Sequence, residues 1–207
     1  MVIGVLALQG ATEAHAQRLE ALGVPYRLVR LPVDLAGLSG LVIPGGESTS
    51  ISMLLESSGL LEPLRAALAD GLPVLGTCAG MIMLAREIHD GRPDQIALGS
   101  IDISVLRNGY GRQLASFETD LTIDVPGRDE HEAHAVFIRA PRVVSTGPGV
   151  EILASHGDDP VLVRQDNVIA AAYHPELTAD QTVHRLLVDL AEAYAGQSRG
   201  TDDSGAT

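Results

Sequence analysis

Cys78 is the only cysteine in the chain, and its surroundings suit it to chemistry. The run Val74-Leu75-Gly76-Thr77-Cys78-Ala79-Gly80 reads as strand, turn and helix, with a glycine two residues to either side of the thiol. This is G-x-C-x-G, the thiol counterpart of the G-x-S-x-G nucleophile elbow. A sharp strand-to-helix turn holds its central residue in a strained backbone conformation, so the flanking residues must be small. The turn also sets the sulfur near a helix N-terminus, whose partial positive charge favours thiolate. The Ala79 N–H is then free to face a developing oxyanion. A lone cysteine is more often a buried, inert thiol. The bracketing glycines and the strand-to-helix setting turn the reading toward a nucleophile.

A thiol nucleophile needs a base. Of the seven histidines, His174 has the most telling context. It follows the apolar run Val168–Tyr173, so it falls at a strand end, where open α/β sheets build their sites. Pro175 stiffens the next step, and Glu176 lies two residues on. In extended backbone, residues i and i+2 point to one side, which lets Glu176 orient the imidazole. Taken alone, His-Pro-Glu is an ordinary surface turn. His131 and His134, in Glu130-His131-Glu132-Ala133-His134, fall one residue short of H-E-x-x-H and read as a solvated charged loop. His15 and His184 fall within helices, and His89 and His156 near glycine-rich turns; none is assigned catalytic work.

A second glycine-rich turn, Ile43-Pro44-Gly45-Gly46-Glu47-Ser48-Thr49, joins a buried strand to a helix. Paired glycines let backbone N–H groups approach a ligand, and Ser48 or Thr49 suits a helix cap. The loop lacks the lysine and spacing of a P-loop, so a second oxyanion donor from Gly46 fits better than a phosphate nest.

These turns need a scaffold of alternating strands and helices. Val2–Leu8, Tyr26–Leu31, Gly40–Ile43 and Pro73–Gly76 read as buried strands. Glu13–Leu22, Ser48–Leu55, Leu60–Leu68 and Met81–Arg86 carry helical spacing. That alternation predicts a parallel sheet covered on both faces. From Ile96 to Tyr173 the chain is β-rich and broken by Gly, Pro and charge. Antiparallel strands are expected there, some joining the edge of the main sheet. Thr182–Tyr194 is a final amphipathic helix. From Gly196 to Thr207 there is no apolar stretch, and a disordered tail is expected after a single domain of residues 1–195.

Composition closes off other functions. The 14 basic residues are all arginine, against 27 acidic ones, for a net charge of −13. Without lysine there is no side-chain amine for Schiff-base chemistry. One cysteine allows no internal disulfide, no CxxC pair and no multi-cysteine zinc site. The acidity argues against nucleic acid and anionic membranes as partners. No apolar run approaches the ~20 residues of a membrane span. The N-terminus lacks a signal peptide's basic stretch, so a cytoplasmic protein is expected, in which the thiol stays reduced.

Gly76–Gly80, the Pro44–Thr49 loop and His174-Pro175-Glu176-Leu177 together resemble the triad (class I) glutamine amidotransferases. Gly4–Gly10, Arg107-Asn108, Gly111-Arg112-Gln113 through Ser116-Phe117-Glu118, and Phe137-Ile138-Arg139-Ala140-Pro141 narrow the resemblance to the glutaminase subunits of pyridoxal 5′-phosphate synthase. The likeness runs from residue 2 to about residue 195. One departure is visible: the family usually has a Glu-His pair after Gln-Gly, whereas Ala14 precedes His15 here and the glutamate is Glu13. The resemblance implies a three-layer, flavodoxin-like α/β fold: an open, mostly parallel sheet with helices on both faces and extra antiparallel strands. It implies hydrolysis of L-glutamine to glutamate and ammonia, with Cys78 as nucleophile, His174 as base and Glu176 as its orienter. Gly46 and Ala79 would supply oxyanion N–H groups. Gly46, Glu47, Ser48, Arg107, Ile138 and Arg139 would hold the glutamine, arginine suiting its carboxylate. No metal or cofactor is implied. The partner implied is a synthase subunit that receives the ammonia in vitamin B6 biosynthesis, contacted through the Gln9-Gly10 turn and the first helix. Alternatives are a glutaminase subunit of another pathway, such as imidazole glycerol phosphate synthase, a cysteine hydrolase of another amide, and a non-catalytic α/β binding module.

Overall fold

The computed structural model describes residues 1–92, 94–109 and 116–202. The Gly111-Arg112-Gln113 motif and residues 203–207 of the expected tail lie outside these. The principal sheet has seven strands in the order β10-β11-β12-β4-β3-β1-β2. Its parallel part comprises β1 (Ile3–Leu6), β2 (Tyr26–Val29), β3 (Gly40–Ile43), β4 (Val74–Thr77) and β12 (Val168–Ala171). The order β2-β1-β3-β4-β12 is that of flavodoxin-like doubly wound sheets. Every residue of β1, β3 and β4 is buried, which matches their unbroken apolar sequences and requires cover on both faces. As expected, antiparallel strands extend one edge: β11 (Asp159–Gln165) pairs with β12, and β10 (Glu151–His156) with β11.

Among the described residues there are five α-helices: α1 (Thr12–Ala21), α2 (Ser48–Ser57), α3 (Leu61–Ala69), α4 (Ala79–Leu84) and α5 (Thr182–Asp202). The buried stripe of α1 is His15, Ala16 and Leu19, with Leu19 four residues after His15 and three after Ala16, as one helix face requires. α1 and α5 meet through His15 and His184, and α2 packs on α4. Two further β units pack against the antiparallel edge strands β10 and β11: β5 (Ala85–Ile88) with β6 (Ile101–Leu106) and β9 (Arg142–Thr146), and the hairpin of β7 (Ser116–Ile123) and β8 (His131–Ile138). No helix among the described residues is long and apolar enough to cross a membrane.

Four segments differ from expectation. The helix expected at Met81–Arg86 stops at Leu84, and β5 follows. The carbonyls of Met83, Leu84 and Ala85 are bonded by the N–H groups of Leu98, Ser100 and Gly99, so tertiary partners replace the next helical turn. Glu130–His134 is not a loop: it leads into β8, whose Ala133, Ala135 and Phe137 alternate inward while His131 and His134 stay exposed. The strand expected from Ile96 begins only at Ile101. The expected tail starts as helix, because α5 continues past Gly196 to Asp202. Polarity alone does not end a helix that already has a packed stem; a capping glycine or a proline does.

Candidate active site

Strand pairing brings the chemistry together. In the β4–β12 ladder Ala171 stands opposite Thr77, and in the β3–β4 ladder Ile43 stands opposite Gly76. Three adjacent parallel strands thus end at one level, and the chain leaves them as the glycine loop, Cys78 and His174. Such carboxyl ends are where open α/β sheets hold ligands.

Cys78 has φ +49° and ψ −104°, a rare conformation for a residue with a side chain. Its N–H donates to Ala171 O at 2.8 Å, tying the turn to β12. The flanking glycines are required by contact. A β-carbon on Gly80 would lie 2.0 Å from Ile43 O, and one on Gly76 would lie 2.6 Å from the Gly80 backbone. The thiol lies 3.8 Å from Ile138 O.

His174 is a neighbour of that thiol: its ring and the Cys78 β-carbon both border the space beside Gly45. Its Nδ1 lies 2.7 Å from Glu176 Oε1, leaving Nε2 as the nitrogen for the sulfur. Glu176 reaches the ring from a 3₁₀ turn at Pro175–Leu177, not from extended backbone. Proline presets the turn, and Leu177 N–H closes it on His174 O at 3.2 Å. Burial disfavours charge on His174, but its interactions with Cys78 and with the Glu176 carboxylate outweigh it and raise its pKa to about 10. Glu176 is itself buried. Burial pulls its pKa up, yet the His174 hydrogen bond and the His15 and His174 rings bring it below the usual carboxylate value.

The glycine loop closes a second side. Thr77 Oγ1 accepts from Gly45 N–H at 3.1 Å, and Gly45 O accepts from Ala11 N–H at 3.1 Å. Because peptide C=O and N–H groups point oppositely, the Gly46 N–H is directed away from α1. A β-carbon on Gly45 would lie 2.5 Å from His174 Cε1 and 3.3 Å from Cys78 Cβ. Gly45 therefore lets loop, ring and thiol share the space, a demand that the sequence showed only as a doubled glycine. Glu47, not Ser48 or Thr49, caps α2: its carboxylate accepts from Thr49 N–H at 3.1 Å and Ser50 N–H at 2.7 Å. The Ser48 and Thr49 hydroxyls donate instead to Gln95 Oε1. Slight burial works against the Glu47 charge, but hydrogen bonds from Ser50 and Thr49 win and lower its pKa to about 2.

A cleft of about 180 Å³ opens beside the sulfur, lined by Gly46, Glu47, Ser48, Cys78, Arg107, Ile138 and Arg139, with Ile82 and Asn108 completing the wall. Arg107 Nη2 lies 3.1 Å from Glu47 Oε1. Arg139 has φ +45°, a strained backbone at the cleft rim. Ala79 is buried as the first residue of α4. The cleft carries arginine for a carboxylate, a carboxylate for an ammonium group, and a thiol at its floor.

One residue was missed. His15, assigned no role from sequence, is fully buried with Nε2 3.1 Å from Thr77 Oγ1 and 3.4 Å from Glu176 Oε2. The signal was a histidine on the apolar stripe of α1, where a buried imidazole needs partners. His131, His134 and His89 pair with surface carboxylates away from the cleft. Among the described residues no cluster of three or more His, Cys, Asp or Glu side chains could hold a metal ion.

An open α/β sheet whose central strand turns sharply at a cysteine, with a histidine leaving the neighbouring strand, defines a class of thiol-bearing amidotransferase-like proteins. The chain belongs to the SNO glutamine amidotransferase family, whose model matches residues 5–193. It is 54% identical over 198 residues to a protein of Parafrankia sp. (strain EAN1pec) named pyridoxal 5′-phosphate synthase subunit PdxT, covering 96% of this chain and 97% of that one. A protein of the same name from Frankia casuarinae is 55% identical, covering 90% of this chain and 93% of its own. A solved structure titled as a glutamine amidotransferase superposes with a TM-score of 0.85 at 46% identity, covering 93% of this chain and all of that one.

Proposed function

We propose that this chain is the glutaminase subunit of a pyridoxal 5′-phosphate synthase, hydrolysing L-glutamine through Cys78, His174 and Glu176. The carrying observation is the meeting of the strained thiol and the His174–Glu176 pair with a cleft that bears Arg107, Arg139 and Glu47. Cys78 Sγ attacks the side-chain amide carbon, and the oxyanion turns toward the Gly46 and Ala79 N–H groups. His174 passes the thiol proton to the leaving nitrogen, so ammonia departs and a glutamyl thioester remains. His174 then takes a proton from water as it attacks the thioester; glutamate leaves and the thiol is restored. Glu176 keeps the imidazole oriented and supports its charged state. Gly46, Glu47, Ser48, Arg107, Ile138 and Arg139 hold the substrate.

The ammonia passes to a synthase subunit docked in a hetero-oligomer. With no lysine in this chain, the Schiff-base chemistry of building the cofactor falls to that subunit. The Gln9-Gly10 turn and α1 are the contact surface we assign to it, and Ala11 N–H on Gly45 O links that surface to the oxyanion loop. The reaction belongs in the cytoplasm, where the thiol stays reduced.

The test is glutamate release from glutamine, titrated with the cognate synthase subunit. Turnover rising with that subunit in the wild type, and absent in Cys78→Ala, is expected. Equal rates in wild type and variant would remove the triad. A wild type fully active without the partner would remove the coupling.

A further inference from the structure

The proposed triad does not end at Glu176. Its Oε1 is bonded to His174, and its Oε2 is buried with no hydrogen-bond partner of good geometry. The group facing Oε2 is His15 Nε2, 3.4 Å away and also fully buried. On the other side of that ring, His15 Nδ1 lies 2.9 Å from His184 Nε2 on α5. Burial holds both imidazoles in the neutral form: it lowers the His15 pKa, and it lowers that of His184 to about 3.

A neutral imidazole has one N–H and one lone pair, so only two arrangements exist for His15. With the proton on Nδ1, the Nε2 lone pair would face a buried carboxylate oxygen, a repulsive contact in a medium that screens poorly. With the proton on Nε2, the N–H points at Thr77 Oγ1 and Glu176 Oε2, and Nδ1 accepts the N–H of His184 Nε2. The second arrangement turns an N–H toward the carboxylate at 3.4 Å instead of a lone pair. Thr77 Oγ1 also accepts the Gly45 N–H, so the same contact reaches the glycine loop.

We propose that His15, locked in its Nε2–H tautomer by His184, is a positioning residue that holds Glu176 for His174. The inference rests on the triad reading above. It makes the site a chain of five side chains, Cys78–His174–Glu176–His15–His184, drawn from both ends of the sequence. His15 touches neither the cleft nor the thiol and acts only through Glu176. The groups facing Glu176 are His174 from its own turn and His15 from α1, with His184 on α5 beyond. Arg18 and Asp180 act on His184 from further out. β8 contributes a backbone carbonyl, Val136 O, which accepts the His174 N–H.

Removing the His15 N–H withdraws support from the ionised form of Glu176, so its pKa must rise and activity must be lost at a higher pH. The experiment compares wild type, His15→Leu and His15→Gln in complex with the synthase subunit, following kcat/KM for glutamate release against pH. The leucine variant should move the acid limb up by about one pH unit. Glutamine places an N–H near the former Nε2 and should restore the limb. An unmoved limb in an active leucine variant overturns the proposal, as does a glutamine variant no better than leucine. Should the variants not fold, long-range ¹H–¹⁵N spectra of histidine-labelled wild type decide: an Nε2–H tautomer at His15 is required, and Nδ1–H overturns it. A wild type lacking Cys78-dependent turnover would instead remove the triad reading, a separate result.

Discussion

Glu176 turns both carboxylate oxygens toward imidazoles, which makes its charge the pivot of the site. Glu176→Gln preserves the shape and removes the charge. Burial would then act on His174 with less opposition, and its pKa would fall from about 10. We expect kcat to drop by about 10³–10⁴-fold with KM little changed, since Glu176 does not line the cleft. Steady-state kinetics check this; a change confined to KM would contradict it. Folding gives an independent readout. The folded pKa of His174 lies above its ordinary 6.5, so the associated stability is fully present below pH 6.5 and is lost as pH rises toward 10. Thermal midpoints between pH 7 and 10 should therefore fall more steeply in the wild type than in Glu176→Gln.

At the scale of elements, the glycine loop is fixed at both ends, at Gly45 by Thr77 and Ala11 and at Glu47 by the start of α2. α2 begins on the Glu47 carboxylate, which also meets Arg107 across the cleft. Replacing that side chain with alanine should cost about 1 kcal/mol of cap. The pH dependence has a definite sign: the folded pKa of Glu47 is depressed from 4.5 to about 2. Its contribution is present above pH 4.5 and is lost as pH falls toward 2. The stability gap between wild type and Glu47→Ala, read by denaturant melts, should close over that interval; a gap constant with pH would count against the charged cap. This scale also shows what the sequence could and could not tell. The buried strands and the Cys78 and His174 turns were legible because their signals are local: continuous apolar runs, bracketing glycines, a His-Pro-Glu step. β5 was not, because the helix before it ends on carbonyls captured by Leu98–Ser100, a partner set by tertiary structure. The Glu47 cap was hidden behind two better capping residue types. His15 was hidden because its partners Thr77, Glu176 and His184 come from three other parts of the chain.

Across the whole molecule, protection should follow burial. β3 and β4 are buried throughout and flanked on both sides, whereas most of β7 is exposed or half-buried and, among the described residues, β7 pairs only with β8. Hydrogen exchange should therefore leave β3 and β4 amides opening only with global unfolding, and β7 amides opening at lower free energy. Uniform protection would contradict that division. The pairing of β12 with β4 has one more consequence. Synthesis delivers Cys78, just after β4, long before β12 and the His174 that follows it, and β5 to β11 are made between them. Domains fold as their chain emerges, and non-local pairing comes late. A nascent chain therefore carries an unassisted cysteine, and the proposed triad is complete only once the last strand has entered the sheet.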